Sequence, residues 1–343
     1  MTLISRTATI GVLATTISER RIPLTAIRDA AAAIYGAAVR TPLVRIDVDH
    51  GRNVELYLKL ETLQPIGSFK IRGAYNVVRQ LTRAELDEGV WTVSAGNAAQ
   101  GVGYAARRAG ARCSVLVIET APETKVNAIE RLGASIVRVS YDEAWKTVES
   151  HGSDRMRGHF VHPFDDDRFI AGNGTIGLEI LEDLPDVDAI VAPLGGGGLL
   201  SGIAAAVRAL KPATHVYAAE PETAAPLSVS LAAGRPMYFD NWRASFVDGA
   251  GGKSVLESMW PLLAQLSGSI VVSLDDVARA MKLAAERAHV IAEGAAACAI
   301  AAALSGRAGA GKIVAVVSGG NIDLARFAAL VGACADRESQ ITR

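Results

Sequence analysis

The chain has 343 residues, half of them hydrophobic, and a formal net charge of −1. That length fits about two domains with a large core, and the balanced charge gives no electrostatic footprint for nucleic acid or an anionic membrane. Cys113, Cys298 and Cys334 are odd in number and widely spaced, which argues against a disulfide framework and fits a reducing cytoplasm.

Residues 1–18 are acid-free and rich in serine and threonine, with Arg6 as their single arginine. Threonines interrupt the apolar content and no A-x-A cleavage site is present. Residues 1–19 therefore read as a disordered or loosely docked arm rather than a transit peptide. Helical spacing at Ile22, Ile27, Ala30, Ala31 and Ile34 predicts a helix over 22–36, which Thr41-Pro42-Leu43 breaks. A strand over 54–60 follows, with Val54, Leu56, Leu58 and Leu60 on one face and Glu55, Tyr57, Lys59 and Glu61 on the other.

Next comes Gly67-Ser68-Phe69-Lys70-Ile71-Arg72-Gly73, ahead of a helix whose body runs over 74–81. Ser68 is a good N-cap, which would put Lys70 in the first turn. A lysine there opposes the macrodipole. The same field favours the neutral amine, the form that adds to a carbonyl. A solvated surface lysine after a turn is the plainer alternative. Residues 82–89 read as a linker.

Three strand–turn–helix units follow. Strands are predicted over 90–93, 113–118 and 136–139, and helices over 98–109, 125–132 and 142–151, with Ser94-Ala95-Gly96-Asn97 as the first turn. Residues 160–164 carry His162-Pro163, and Asp165-Asp166-Asp167 reads as a solvated turn. A helix over 170–184 leads to a buried strand over 189–194, then to Gly195-Gly196-Gly197-Gly198 and a helix over 199–210. A strand over 216–219 ends at Glu220-Pro221, and 234–254 reads as a long loop. Helices over 277–289 and 295–304 precede a strand over 313–317 that ends in Ser318-Gly319-Gly320-Asn321. The apolar run at 296–304 is too short to span a membrane and follows Glu286, Arg287 and Glu293.

Apolar strands separated by helices predict a doubly wound α/β protein with parallel sheets covered on both faces. Residues 82–163 would form a small α/β domain, and 20–81 with 164–335 a large discontinuous one. Ligands in such sheets bind at the carboxyl ends of the strands. The turns at Ser94, Gly195, Glu220 and Ser318 are thus expected to face one cleft.

Four glycines between a buried strand and a helix form a nest of amides for an anion. No Gly-Lys-Ser/Thr follows, so it is not a Walker loop, and the G-x-G-x-x-G spacing is missing. Tight strand–helix packing is the alternative reason for the glycines. A lysine with a neutral amine, a monophosphate nest, and turns bearing Asn97 and Ser318 together fit a cofactor with one phosphate and one aldehyde. Pyridoxal 5'-phosphate is that cofactor, held by Lys70 as a Schiff base and serving as electron sink.

These stretches resemble a known family. Gly67-Ser68-Phe69-Lys70-Ile71-Arg72-Gly73-Ala74, Ser94-Ala95-Gly96-Asn97, Gly195-Gly196-Gly197-Gly198-Leu199 and Ser318-Gly319-Gly320-Asn321 look like the four signature motifs of the two-lobed, fold-type II (tryptophan synthase β-like) pyridoxal phosphate enzymes. Leu60-Glu61-Thr62-Leu63-Gln64-Pro65 and His162-Pro163-Phe164-Asp165-Asp166 look most like the threonine/serine dehydratases (ammonia-lyases), which stand close to the serine racemases. The resemblance covers about residues 25–330. It implies an active site in the interdomain cleft and a homodimer. Lys70 would hold the cofactor and exchange protons at the substrate Cα. Phe69 would pack near the pyridine ring, and Asn97 would bond the cofactor's 3'-oxygen. Gly195, Gly196, Gly197 and Gly198, with the Leu199 amide, would hold the phosphate. Ser318 would sit at the pyridine nitrogen and leave it largely unprotonated. Ser94, Ala95, Gly96 and Asn97, bordered by Ala98, would cradle the substrate carboxylate. The implied reaction removes water from a β-hydroxy amino acid and releases a 2-oxo acid and ammonia.

The chain departs from the family pattern in three places. A histidine usually follows the S-x-G-N motif, whereas here it is Ala98, so either a β-substituent bulkier than methyl, such as the aryl group of phenylserine, is expected to fit, or the swap is neutral and compensated elsewhere. The related racemases carry a serine at the position of Ala95, and alanine moves no proton, so racemisation should be slight. Relatives that bind a divalent cation use a glutamate matching Glu220 and a later carboxylate. Here the later position reads Ala224-Ala225-Pro226, with Glu222 out of step, so no metal is expected. His159 and His162 lack a third zinc ligand nearby, and Cys113 reads as core. β-Replacement enzymes typically carry a T-S-G-N-T-like loop, which is absent, and a non-enzymatic binding protein would not retain Lys70 with every cofactor turn. With Arg343 soon after the last helix, no C-terminal regulatory domain is expected, and a catabolic, cytoplasmic enzyme fits best.

Overall fold

The computed structural model describes residues 20–48 and 53–341, so the arm expected over 1–19 lies outside them. Its strands are β1 (Leu43–Ile46), β2 (Val54–Leu60), β3 (Val90–Val93), β4 (Cys113–Ile118), β5 (Ser135–Val139), β6 (His159–Phe160), β7 (Ala189–Pro193), β8 (His215–Pro221), β9 (Gly268–Val272) and β10 (Gly311–Val317). They form two sheets. The larger has the order β1-β2-β10-β7-β8-β9, and all its pairs are parallel except β1 with β2. The smaller has the order β5-β4-β3-β6 and is parallel throughout.

Helices cover both faces of each sheet, as parallel strands require. Leu24–Ile34, Asp167–Asp183 and Gly198–Leu210 pack on one face of the larger sheet, and Leu274–Arg287 and Gly294–Leu304 on the other. Every residue of β7 is buried as a result. Small residues let the layers close up: a Cβ on Gly202 would lie 2.5 Å from the Ile170 carbonyl oxygen. Lys70–Val78 and Asn97–Ala109 cover one face of the smaller sheet, and Tyr141–Ser150 the other. No helix among the described residues is long and apolar enough to cross a membrane.

The structure departs from the sequence expectations at several points. Residues 82–89 are not a linker but hold the Arg83–Glu88 helix, closed by a capping box between Thr82 and Glu85. β9 and the Pro226–Ala233 helix appear where periodicity predicts nothing. Ser68 does not cap the lysine helix. That helix begins at Lys70 itself, with Phe69 at the cap position. The chain before it is held against the turn after β10, with the Phe69 amide donating to the Ser318 carbonyl (3.0 Å) and the Gly320 amide to Gly67 (2.9 Å). Ser68 is thereby paired with Gly319, and its buried hydroxyl has no hydrogen-bond partner among the described residues. The acidic turn is solvated only at Asp167. Asp166 caps the Asp167–Asp183 helix through the Arg168 and Phe169 amides, and Asp165 is buried against Arg20, His151 and Ser258.

Candidate active site

The turns after β3, β7 and β10 all end at one cavity of about 450 Å³. The parallel register carries their carboxyl ends to the same side. Phe69 and Lys70 line it, as do Ser94, Ala95, Gly96, Asn97 and Ala98, the Gly195–Gly198 turn with Leu199, and Ser318. Glu220, expected at the same cleft, is not there. It lies within β8 with its carboxylate turned to the start of the Pro226–Ala233 helix, where it accepts the Leu227 and Ser228 amides (both 2.8 Å) and the Ser269 hydroxyl. Those amides lack intrahelical acceptors, so a buried carboxylate serves them.

Lys70 extends its amine onto the cavity between the rings of Phe69 and Phe169, each centred 5.3 Å away. Its Nζ donates to the Pro163 carbonyl at 2.6 Å. Burial lowers its pKa to about 8, and the Glu293 carboxylate opposes that shift. The amine is therefore neutral more often near neutral pH than an ordinary lysine, and the neutral form is the nucleophile for a carbonyl.

Glu293 is the residue that sequence reasoning missed. It precedes the Gly294–Leu304 helix, buried from Gly294 to Ala303, but its side chain does not cap it. Its Oε1 instead accepts from Asn97 Nδ2 at 2.8 Å. Burial and then the nearby Asp248 push its carboxyl up to about 7. A single acid leading an otherwise apolar helix was the available signal. Asn321 completes the arrangement, donating to Asn97 Oδ1 (2.7 Å) and to the Ile66 carbonyl (2.8 Å). Asn97 is thus fixed on both sides of its amide.

Two helix N-termini point at the cavity. Asn97–Ala109 starts one residue earlier than expected, after Ser94 Oγ has accepted the Gly96 amide at 3.1 Å. Gly198–Leu210 starts within the glycine turn. The first amides of each helix have no intrahelical acceptor and present partial positive charge. Packing also demands the glycines. A Cβ on Gly196 would sit 2.2 Å from the Phe164 ring, and Gly197 adopts φ +94°. Both reasons weighed from the sequence, an anion nest and tight packing, thus meet in one turn.

A second polar cluster lies at a shallow, more open surface depression lined by Arg20, His151, Asp165 and Ser258. Among the described residues, His151, His162 and Asp165 bring ligand atoms close together. Both nitrogens of His162 are taken, however, Nε2 by the Val148 carbonyl and Nδ1 by the Asp165 amide. Cys113 is buried, and burial pushes its thiol up to about 12, where it carries no thiolate.

Comparison with known proteins agrees with this geometry. The sequence matches the family described as pyridoxal-phosphate dependent enzyme over residues 34–319. The chain belongs to that family. Among relatives of this pyridoxal-phosphate dependent enzyme is the L-threonine ammonia-lyase of Thermotoga maritima, 40% identical over 274 residues, which cover 79% of this chain and 68% of that one. Among solved structures, maize serine racemase aligns with a TM-score of 0.82 at 31% identity, over 94% of this chain and all of that one. The processed threonine deaminase isoform 2 of Solanum lycopersicum aligns with a TM-score of 0.80 at 32% identity, over 92% and 95%. The residues present fit the cofactor. A desolvated lysine amine and two sets of unpaired helix amides border one cavity, which is the donor set that an aldehyde, a phosphate and a carboxylate need.

Proposed function

We propose that this pyridoxal-phosphate dependent enzyme is a hydroxy-amino-acid ammonia-lyase, releasing a 2-oxo acid and ammonia from a β-hydroxy amino acid. The observation that carries the reading is the Lys70 amine, desolvated and opening onto a cavity bordered by the Gly195–Gly198 turn. When bound, the cofactor supplies an electron sink for the substrate Cα carbanion. Lys70 would hold the cofactor's aldehyde carbon and would move the proton at the substrate Cα. Amides of Gly195–Leu199 bind the phosphate, and those opening the Asn97–Ala109 helix bind the substrate carboxylate. Asn97, its orientation fixed by Glu293 and Asn321, would serve the cofactor's 3'-oxygen. Phe69 and Ser318 line the same cavity, where they would serve the cofactor's ring and its ring nitrogen.

The substrate's β-substituent is larger than methyl. Ala98 borders the cavity with a methyl group where an imidazole would fill space, and Ile118, Ala121 and Val148 are further apolar residues of the same cavity's lining. The racemase likeness raises a second reading, but Ala95 carries no proton for an opposite-face transfer. A homodimer is proposed on the family resemblance.

Release of 2-oxo acid, measured over the isomers of serine, threonine, hydroxyaspartate and phenylserine, tests the proposal. Phenylserine is expected to outpace threonine. Much faster threonine turnover would remove the large-pocket idea, and release from none of them would sink the lyase. Lys70→Ala is expected to lose both the visible absorption band and all release.

A further inference from the structure

His162 lies outside the roles assigned so far, yet its ring organises two walls of the cavity. Its Nε2 lies 3.1 Å from the Val148 carbonyl, which makes Nε2 the protonated nitrogen and leaves Nδ1 as an acceptor. Nδ1 accepts the Asp165 amide at 2.7 Å and the Phe164 amide at 3.3 Å. The side chain thus closes a turn on its own main chain over 162–165, as an asparagine does in an Asx turn. That turn has two products. The Pro163 carbonyl faces Lys70 Nζ at 2.6 Å. The Phe164 ring meets the imidazole edge-on at 4.7 Å and lies against the backbone of Gly196.

Surrounding groups hold the ring neutral and in place. Burial drives its pKa down to about 4, and His151 stacks on it at 4.4 Å. Asp165 is drawn outward by Arg20 and Ser258, each at 2.5 Å. The turn is therefore fixed from the outside and presents its carbonyl and aromatic ring inward.

We propose that His162 is a positioning residue, whose Nδ1 folds the 162–165 turn that sets the Pro163 carbonyl on the Lys70 amine and the Phe164 ring on the glycine cradle. The inference rests on the role given above to Lys70. It assigns His162 no proton transfer, because both nitrogens are committed to the main chain.

Three substitutions separate the two ring nitrogens. His162→Asn keeps an acceptor where Nδ1 stands. His162→Gln keeps a donor toward Val148 but loses that acceptor, and His162→Phe keeps only the ring. Each full chain is stripped of cofactor and titrated with pyridoxal phosphate, followed by absorbance, and melting temperatures are compared. His162→Asn is expected to bind the cofactor within about threefold of the parent, whereas the other two weaken by about tenfold or more. The pH midpoint of cofactor uptake reports the Lys70 amine, which Glu293 and the Pro163 carbonyl face. Losing the carbonyl removes an acceptor for the ammonium. The midpoint should fall by about half a unit in His162→Gln and His162→Phe and hold in His162→Asn. Parent-like affinity and midpoint in His162→Phe would overturn the proposal, as would equal losses in His162→Asn and His162→Phe at matched melting temperatures. Failure of the unmodified chain to take up pyridoxal phosphate at Lys70 would instead overturn the function on which it rests.

Discussion

At the scale of single residues, the site is set by two buried ionisable groups whose pKa values are both shifted toward neutrality. Burial lowers Lys70 to about 8 and raises Glu293 to about 7, so each is drawn toward its uncharged form. Glu293 has a consequence for stability. Its folded-state pKa lies above its ordinary value near 4.5. The stability it contributes is full below about pH 4.5 and is lost as pH rises through about 7. Glu293→Gln has no carboxyl to ionise in that window. The melting temperature of the cofactor-free variant should thus match the parent near pH 4.5 and exceed it by pH 8. A gap that stays constant across this range would contradict the raised carboxyl. Asn97 keeps an acceptor in the variant, so its orientation is retained.

At the scale of elements, what places Lys70 is the charge network two residues further along its helix. Arg72 is fully buried, with Nε 2.8 Å from Glu61 and Nη1 2.5 Å from Glu179. Lys59, also fully buried, reaches Glu179 and the Thr41 carbonyl, each at 2.6 Å. Two cations and two carboxylates thus tie the Lys70–Val78 helix to β2 and to the Asp167–Asp183 helix. Burial holds Glu179 against ionisation, but Arg72 and Lys59 outweigh it and keep its carboxyl below the usual range. Removing one member leaves a buried charge without its partner. Arg72→Leu should destabilise the chain by about 3–5 kcal/mol, measured by urea unfolding, because Glu61 and Glu179 stay behind. A loss under about 1 kcal/mol would mean that the network is dispensable.

At the scale of the whole molecule, the segment around 248–253 is fastened to helices that flank the smaller sheet. Lys125, on the Glu123–Glu130 helix, pairs with Asp248, and both line the cavity. Lys253 lies over the rings of Tyr141 (4.4 Å) and Trp242 (4.5 Å). The Lys125–Asp248 pair is partly exposed, so it contributes little to stability. Its place at the cavity suggests control of access. Lys125→Ala should change unfolding stability by less than about 1 kcal/mol while raising KM severalfold with kcat held. Steady-state kinetics beside urea unfolding check this, and an unchanged KM would remove the pair from any part in substrate retention.

Periodicity and turn chemistry are local, and for that reason β2 to β5, β7, β8 and β10, the parallel α/β class, the lysine turn and the tetraglycine turn are legible in the amino-acid order alone, whereas the short β6 is not. Each is written in adjacent residues: alternating or continuous apolar runs, and glycines where backbone must approach backbone. Only the tertiary structure decided that Glu293 reaches Asn97 across 196 positions, that Lys59 and Arg72 share Glu179, that Asp165 is buried, and that Glu220 caps a helix rather than facing the cleft. Such pairings join groups far apart in the chain. Their energy comes from removing charge from water, and which charges leave water depends on how the layers close together.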